Sequence, residues 1–373
     1  VAIGALAMSR NGIGHDGQPI GTDFASFWNA ARLALAGEPL IPYDIQAFAK
    51  AQQEAMGPIP FYAFFYPPSF LLLLAPLGAL PYLAALAAFL GLSFALVVYA
   101  ASRIVPTRVA LLTLAAAPAF FIALGHGQNA FLLAGLLGLG LVLLDRRPIT
   151  AGLLIAAASI KPQLGLLIPV ALLCGGYWRA LIAAGLGTLG LAGLTGVAFG
   201  PEIWQAFLDQ MPAASATMRD GLVPWGKMVT VYAALRVLDA GEVAGLVLQA
   251  AVSLAALVMV ALVWRDRAPA CAPLRYAILI AAIPLAAPVA LDYDMFLLLL
   301  PVLWLMAQGS THGFRPWEIS IAAAVYLLPF IARPLALNLG VPVAPLVLVG
   351  FVVMLLRRWH AFGGRFSGRL AKL

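Results

Sequence analysis

The chain has 373 residues, of which 63% are hydrophobic and only 10% are charged. A soluble domain carries about 25% charged residues, so a soluble globular enzyme, a disordered chain and a nucleic-acid-binding protein are all excluded. The net charge of +7 reads instead as basic residues held on the cytoplasmic side of a bilayer.

At about 20 apolar residues per crossing, this length holds about ten spans. The apolar runs are continuous rather than alternating, which excludes a β-barrel. The expected class is therefore all-α: a polytopic membrane protein with one transmembrane domain over residues 1–373.

In chain order, an apolar run ending at Met8 reads as a truncated first span. Residues 9–66 form a long first outer loop rich in aromatics. Within it, Phe24, Phe27, Trp28, Ala31 and Leu35 recur at helical spacing, predicting an amphipathic helix on the membrane surface. Asp23 opens that helix. Asp is a favoured N-cap, and a cap position also fixes a carboxylate in space, so the two roles are compatible. Tyr43-Asp44 begins a second surface helix through Met56, and Asp44 reads first as its cap. Tyr66-Pro67-Pro68 turns the chain into the bilayer, where 68–79 is too short to cross and reads as a half-helix.

Spans are expected at 82–104, 109–124, 127–144, 180–199, 243–264, 274–290, 294–308, 317–333 and 343–356. Between them, 150–174 contains Lys161-Pro162. Proline removes a backbone donor and disfavours helix at the residue before it. The two arms of that segment each reach about 17 Å, roughly half of the hydrocarbon core. This predicts a broken-helix hairpin entering and leaving on one side, with Lys161 at its tip. A second outer loop, 200–241, carries Trp204, Phe207, Trp225 and Tyr232 at headgroup depth.

With the loops placed this way, the inside holds most of the 22 basic residues but only Asp145, Asp266 and Glu318 among the 15 acids. A single crossing at 150–174 would put Arg146-Arg147 and Arg179 on opposite faces instead. Cys174 and Cys271 fall near the inner face, where a disulfide is not expected.

Ionisable groups at membrane depth are the best pointers to function. Lys161 needs a counter-charge there. A phosphate is one, and an internal salt bridge with Asp292 or Asp294 is the alternative. Gly125-His126-Gly127-Gln128-Asn129 is a polar island between apolar runs. It reads either as a glycine turn or as Gln128 and Asn129 reaching sugar or headgroup hydroxyls beside His126. Asp292-Tyr293-Asp294 has the spacing of some metal-binding transferases, but three residues are an unspecific pattern. No phosphate loop, zinc motif or Ser-His-Asp arrangement is present.

The order Asp23-Phe24, Tyr43-Asp44, Tyr66-Pro67-Pro68, Gly127-Gln128-Asn129 and Lys161-Pro162 resembles glycosyltransferase family 87, also called DUF2029. That family belongs to the GT-C class of membrane glycosyltransferases. The resemblance covers most of residues 20–180. It implies a helical bundle of the GT-C kind and a polyprenyl-phosphate-linked hexose donor, typically mannose. It also implies transfer to a lipid or glycan acceptor on the outer, periplasmic side of the plasma membrane.

On the same resemblance, Asp23 is the catalytic base and Lys161 holds the donor phosphate. Asp44, Tyr66, His126, Gln128, Asn129, Asp292 and Asp294 are substrate-binding candidates. No cofactor and no metal ligand are expected, since donors with a single phosphate need no metal in this class. The expected partners are the lipid-linked donor, a glycan or glycolipid acceptor and the bilayer, with no nucleic acid.

One carboxylate base and direct displacement predict inversion at the sugar carbon. Two other readings compete. A transporter or lipid flippase would also use broken helices and a buried lysine, but no matched pair of broken segments is visible. A non-catalytic relative would not need both Asp23 and Lys161.

Overall fold

The computed structural model describes residues 12–363, so the expected first span ending at Met8 lies outside the described residues. Those residues fold as helices throughout, apart from two isolated β-bridges, Ile13 with Pro19 and Met228 with Leu291.

Among the described residues, seven helical segments are long and apolar enough to cross a membrane. They are Tyr82–Ser102, Trp178–Phe199, Glu242–Trp264, Pro269–Ala286, Asp292–His312, Glu318–Leu339 and Ala344–Ala361. The protein is a polytopic membrane protein. An eighth candidate, Thr107–Ala115 with Pro118–His126, is bent by 66°. Pro118 has no N–H to continue the first arm, and Ala117 before it is extended (φ −68°, ψ 137°).

The count falls below the expected ten for a second reason as well. The run at 127–144 yields only Ala130–Leu143, a helix about 21 Å long at 1.5 Å per residue.

The segment at 150–174 breaks at Lys161-Pro162. Pro148–Ala157 runs into a 3-10 turn ending at Ile160, and Pro162–Leu164 forms another before Ile168–Gly175 resumes. Lys161 sits between them with φ −127° and ψ 76°.

Burial separates the interior from the lipid-facing helices. In Ala272–Ala286 every residue but Pro273 is buried. It packs against Glu242–Trp264, Leu299–His312 and Ala344–Ala361. In Trp178–Phe199 only Ala180 and Thr195 are buried, so its leucines face outward, as a helix in lipid requires.

The first-loop helix forms as its spacing predicts, at Phe24–Leu35, but it is far more enclosed than a helix lying on a surface. Phe24, Phe27, Ala30, Ala31 and Leu33 are all buried. The small alanines let neighbours approach from a second side: a Cβ on Gly78 would sit 2.6 Å from the Ala31 backbone carbon. Phe27 meets the rings of Tyr66 and Phe70, each at 5.1 Å between centroids.

Away from this loop, polar contacts tie the other helix ends together. Tyr177 and Tyr276 donate to the two oxygens of Asp145 at 2.7 and 2.9 Å. Arg358 pairs with the buried Glu318. Cys174 and Cys271 are free. The second loop folds as Glu202–Arg219, a turn at Trp225–Lys227 and Val231–Val237. It is fastened to the bundle where Val229 N donates to Ala290 O at 2.9 Å.

Candidate active site

The first turn of the Phe24–Leu35 helix is satisfied by backbone. Phe24 N donates to Gly21 O at 2.6 Å and Ala25 N to Thr22 O at 3.1 Å. Asp23 is itself in helical conformation and makes no side-chain cap. Its half-buried carboxylate is therefore released from the local chain. Oδ2 accepts from Gln128 Nε2 at 2.8 Å, across 105 residues of sequence, and Oδ1 has no hydrogen-bond partner among the described residues.

A glycine makes that meeting possible. Gly127 is left-handed (φ 62°) at the end of Pro118–His126. A Cβ there would sit 2.6 Å from Phe24 Cβ and 2.8 Å from Gly21 O. Only a residue without a side chain lets the two turns touch, and Gln128 follows directly. Gln128 Oε1 accepts from the Tyr66 hydroxyl at 3.1 Å and from Asn129 N at 3.3 Å. Its amide nitrogen is thus left to face the carboxylate. Burial pushes the Tyr66 hydroxyl pKa well up, with Asp294 and Asp23 adding to the effect, so the phenol stays protonated and donates.

His126 Nδ1 lies 3.0 Å from Thr22 Oγ1, and its ring is 6.3 Å from that of Tyr293. Asn129 is buried beside the Tyr66 hydroxyl, and among the described residues neither of its side-chain polar atoms has a well-formed hydrogen bond. A buried amide of this kind marks a place where a polar ligand group could be received.

Lys161 realises the internal salt bridge. Its Nζ is 2.6 Å from Asp294 Oδ1, with both side chains only 4% exposed. It also lies 4.5 Å from the centre of the Tyr293 ring. Asp294 is further held by Leu291 N at 3.0 Å. Asp292 turns elsewhere, to Arg333 Nη1 at 3.4 Å. The two carboxylates sit in a 3-10 turn, Asp292–Leu298, where residues two apart point in different directions. They do not converge, and no group of three or more His, Cys, Asp or Glu is placed to hold a metal among the described residues.

The structure thus brings Asp23, Tyr66, His126, Gln128, Asn129, Lys161, Asp292 and Asp294 to one end of the bundle. Tyr293 lies within the fields of Asp23, Asp292 and Asp294 alike. Asp44 is not among them. It is exposed and accepts from Gln46 N and Ala47 N, both at 2.9 Å, as a helix cap. Sequence reasoning did not single out Arg333 or Lys227, and it named Tyr293 only as the middle of Asp292-Tyr293-Asp294, with no role of its own. Arg333-Pro334 repeats the pattern of Lys161-Pro162, a cation before a proline inside an apolar run, and that signal was available.

Beside the broken helix lies an apolar cavity of about 620 Å³. Ser159 and Pro162 line it next to Lys161, and Leu133, Leu166, Thr188 and Leu189 extend it outward. Leu166 and Leu189 are themselves exposed, so the cavity reaches the lipid-facing surface.

The sequence profile of glycosyltransferase family 87 matches residues 64–291, more than half of the chain. The match includes Tyr66, His126, Gln128, Asn129 and Lys161. It stops short of Asp23 on one side and of Asp292 and Asp294 on the other. No curated protein and no solved structure matches the chain.

Proposed function

This chain is a member of glycosyltransferase family 87, and on that premise we propose that it moves a hexose, mannose in the first instance, from a polyprenyl-phosphate donor to a hydroxyl of a glycan or glycolipid. The broken helix and the buried Lys161 would suit a transporter or flippase as well, and membership in a family of transferases favours the enzyme.

The observation that carries the proposal is the uncommitted carboxylate of Asp23. It is oriented by Gln128 on one oxygen and, among the described residues, unpartnered on the other, at the same end of the bundle as the buried charges of Lys161, Asp292 and Asp294. Asp23 takes the acceptor's proton as its oxygen attacks the anomeric carbon. The bond from that carbon to the donor phosphate oxygen breaks, and polyprenyl phosphate leaves with the electron pair. Attack opposite the leaving group inverts the sugar carbon. Negative charge grows on the phosphate, and cations in a low-dielectric site stabilise it.

The apolar cavity beside Pro162 suits the isoprenoid tail, which can enter from lipid while the headgroup reaches the polar end. Among the described residues, Arg103, Arg146, Arg147, Arg179 and Arg265 cluster where helices begin or end away from Asp23 and Gln128. By the positive-inside rule, this supports a site on the outer face of the plasma membrane.

The test is transfer of radiolabelled mannose from polyprenyl-phosphate-mannose to membrane-extracted acceptors by purified protein, with a chelator arm. Transfer by the parent and a loss of about 10²–10⁴-fold in Asp23→Asn, the usual contribution of a general base, is expected. Transfer unchanged in the folded variant would remove Asp23 from the chemistry. No transfer from any of a panel of lipid-phosphate sugars would remove the donor class.

A further inference from the structure

The departing phosphate needs a cation it can reach, and the cations at this end of the bundle are not equally available. Lys161 is enclosed and matched one to one with Asp294 at 2.6 Å. Drawing it towards another anion would strand a buried carboxylate, which is strongly unfavourable. Arg333 is less enclosed and less tightly held, although its partner Asp292 is as buried as Asp294. Arg333 is 34% exposed and makes a single long contact of 3.4 Å to Asp292. Asp292 is its only hydrogen-bond partner among the described residues, so most of the five N–H donors of its guanidinium fork are uncommitted.

Asp292 is also outnumbered. Arg333 and Lys227 both act on it as cations, and the His126 ring is a third neighbour. Lys227 is held nearby because Met228 bridges to Leu291 and Val229 N bonds Ala290 O. His126 is held by Thr22. One buried carboxylate thus faces two permanent cations and an imidazole, whereas the Lys161–Asp294 pair balances. The surplus of positive charge is on the half-open side, and a guanidinium is the side chain best suited to grip a phosphate with two parallel bonds.

We propose that Arg333, flanked by Lys227 and His126, seats the phosphate of the lipid-linked donor, with Asp292 as the internal counter-ion that holds Arg333 until the donor arrives. Lys161 is then a positioning residue that fixes Asp294 and Tyr293. This rests on the reading of the donor as a polyprenyl phosphate.

The test is binding of farnesyl phosphate to the purified protein, with farnesol as the phosphate-free control. The parent binds farnesyl phosphate about tenfold or more tightly than farnesol, the scale of one charge-assisted contact. Arg333→Gln, which stays folded, loses that preference while its farnesol affinity holds, and Arg333→Lys recovers part of it. Asp292→Asn binds farnesyl phosphate more tightly than the parent, because the competing anion is gone, a gain that a merely structural aspartate would not give.

The seat is overturned if folded Arg333→Gln keeps the preference, or if Lys161→Gln rather than Arg333→Gln abolishes it. A parent that does not prefer farnesyl phosphate over farnesol fails differently. It removes the phosphate-linked donor itself, and the seat with it.

Discussion

Asp23 and Asp44 each open a helix of the same loop, yet their carboxylates have opposite fates. Asp44 is extended (φ −103°, ψ 112°), and its side chain folds over the first turn to accept two backbone N–H groups. Asp23 is already helical (φ −65°, ψ −23°), and the carbonyls of Gly21 and Thr22 serve the first turn in its place. A helix-opening aspartate is thus a chemical candidate only when the backbone makes the cap redundant. Asp294 is a third case, committed to Lys161 and to Leu291 N. One residue type thus serves as a cap, as half of an ion pair and as an open carboxylate.

If commitment decides role, breaking each arrangement should cost something different. The largest stability effect falls on the committed pair. Lys161→Met strands Asp294 and should lower unfolding stability by about 3–5 kcal/mol, read as a fall in melting temperature in detergent. A variant as stable as the parent would show that the pair is not structural.

Gln128→Leu leaves Asp23 without its orienting donor. Transfer should fall by up to about 10²-fold, the cost of a misplaced catalytic group, with little change in donor affinity. A change confined to donor affinity would move Gln128 from orienting the base to binding substrate.

Gly127→Ala forces a side chain into a left-handed position facing Phe24 and the Gly21 carbonyl. The backbone term alone is about 1–2 kcal/mol, and separation of the two turns should lower transfer as well. Asp44→Ala is the mildest change. It should cost about 1 kcal/mol of stability, the usual value of a cap, with turnover intact. Lost turnover in a stable Asp44→Ala would erase the distinction between the two aspartates.

Much of the fold was legible because helices and breaks have local causes. The starts at Phe24 and Ile45 follow from apolar spacing and an aspartate before each. The break at Lys161 follows from Pro162. Pro118 carried the same signal for the 66° bend inside the run at 109–124, but an uninterrupted apolar run on both sides concealed it. The enclosure of Phe24–Leu35 was not legible, because periodicity reports which face is apolar and not how many neighbours surround it.

The site divides in the same way. Its members were found as polar residues in apolar surroundings, which is a local property. Of their partners, only an aspartate at 292 or 294 for Lys161 was foreseen, from a buried ammonium's need of a counter-charge; Asp23–Gln128 and Asp292–Arg333, which cross 105 and 41 residues, were not. Spacing along the chain does not record which carboxylate meets which donor.

The central claim is that Asp23 is the base because its carboxylate is uncommitted. The most direct measurement is single-turnover transfer from polyprenyl-phosphate-mannose by Asp23→Asn and Asp44→Asn, purified side by side. A loss of about 10²–10⁴-fold is expected in the first, with farnesyl phosphate affinity preserved, and a rate near the parent's in the second. Equal rates in the two variants would contradict that claim.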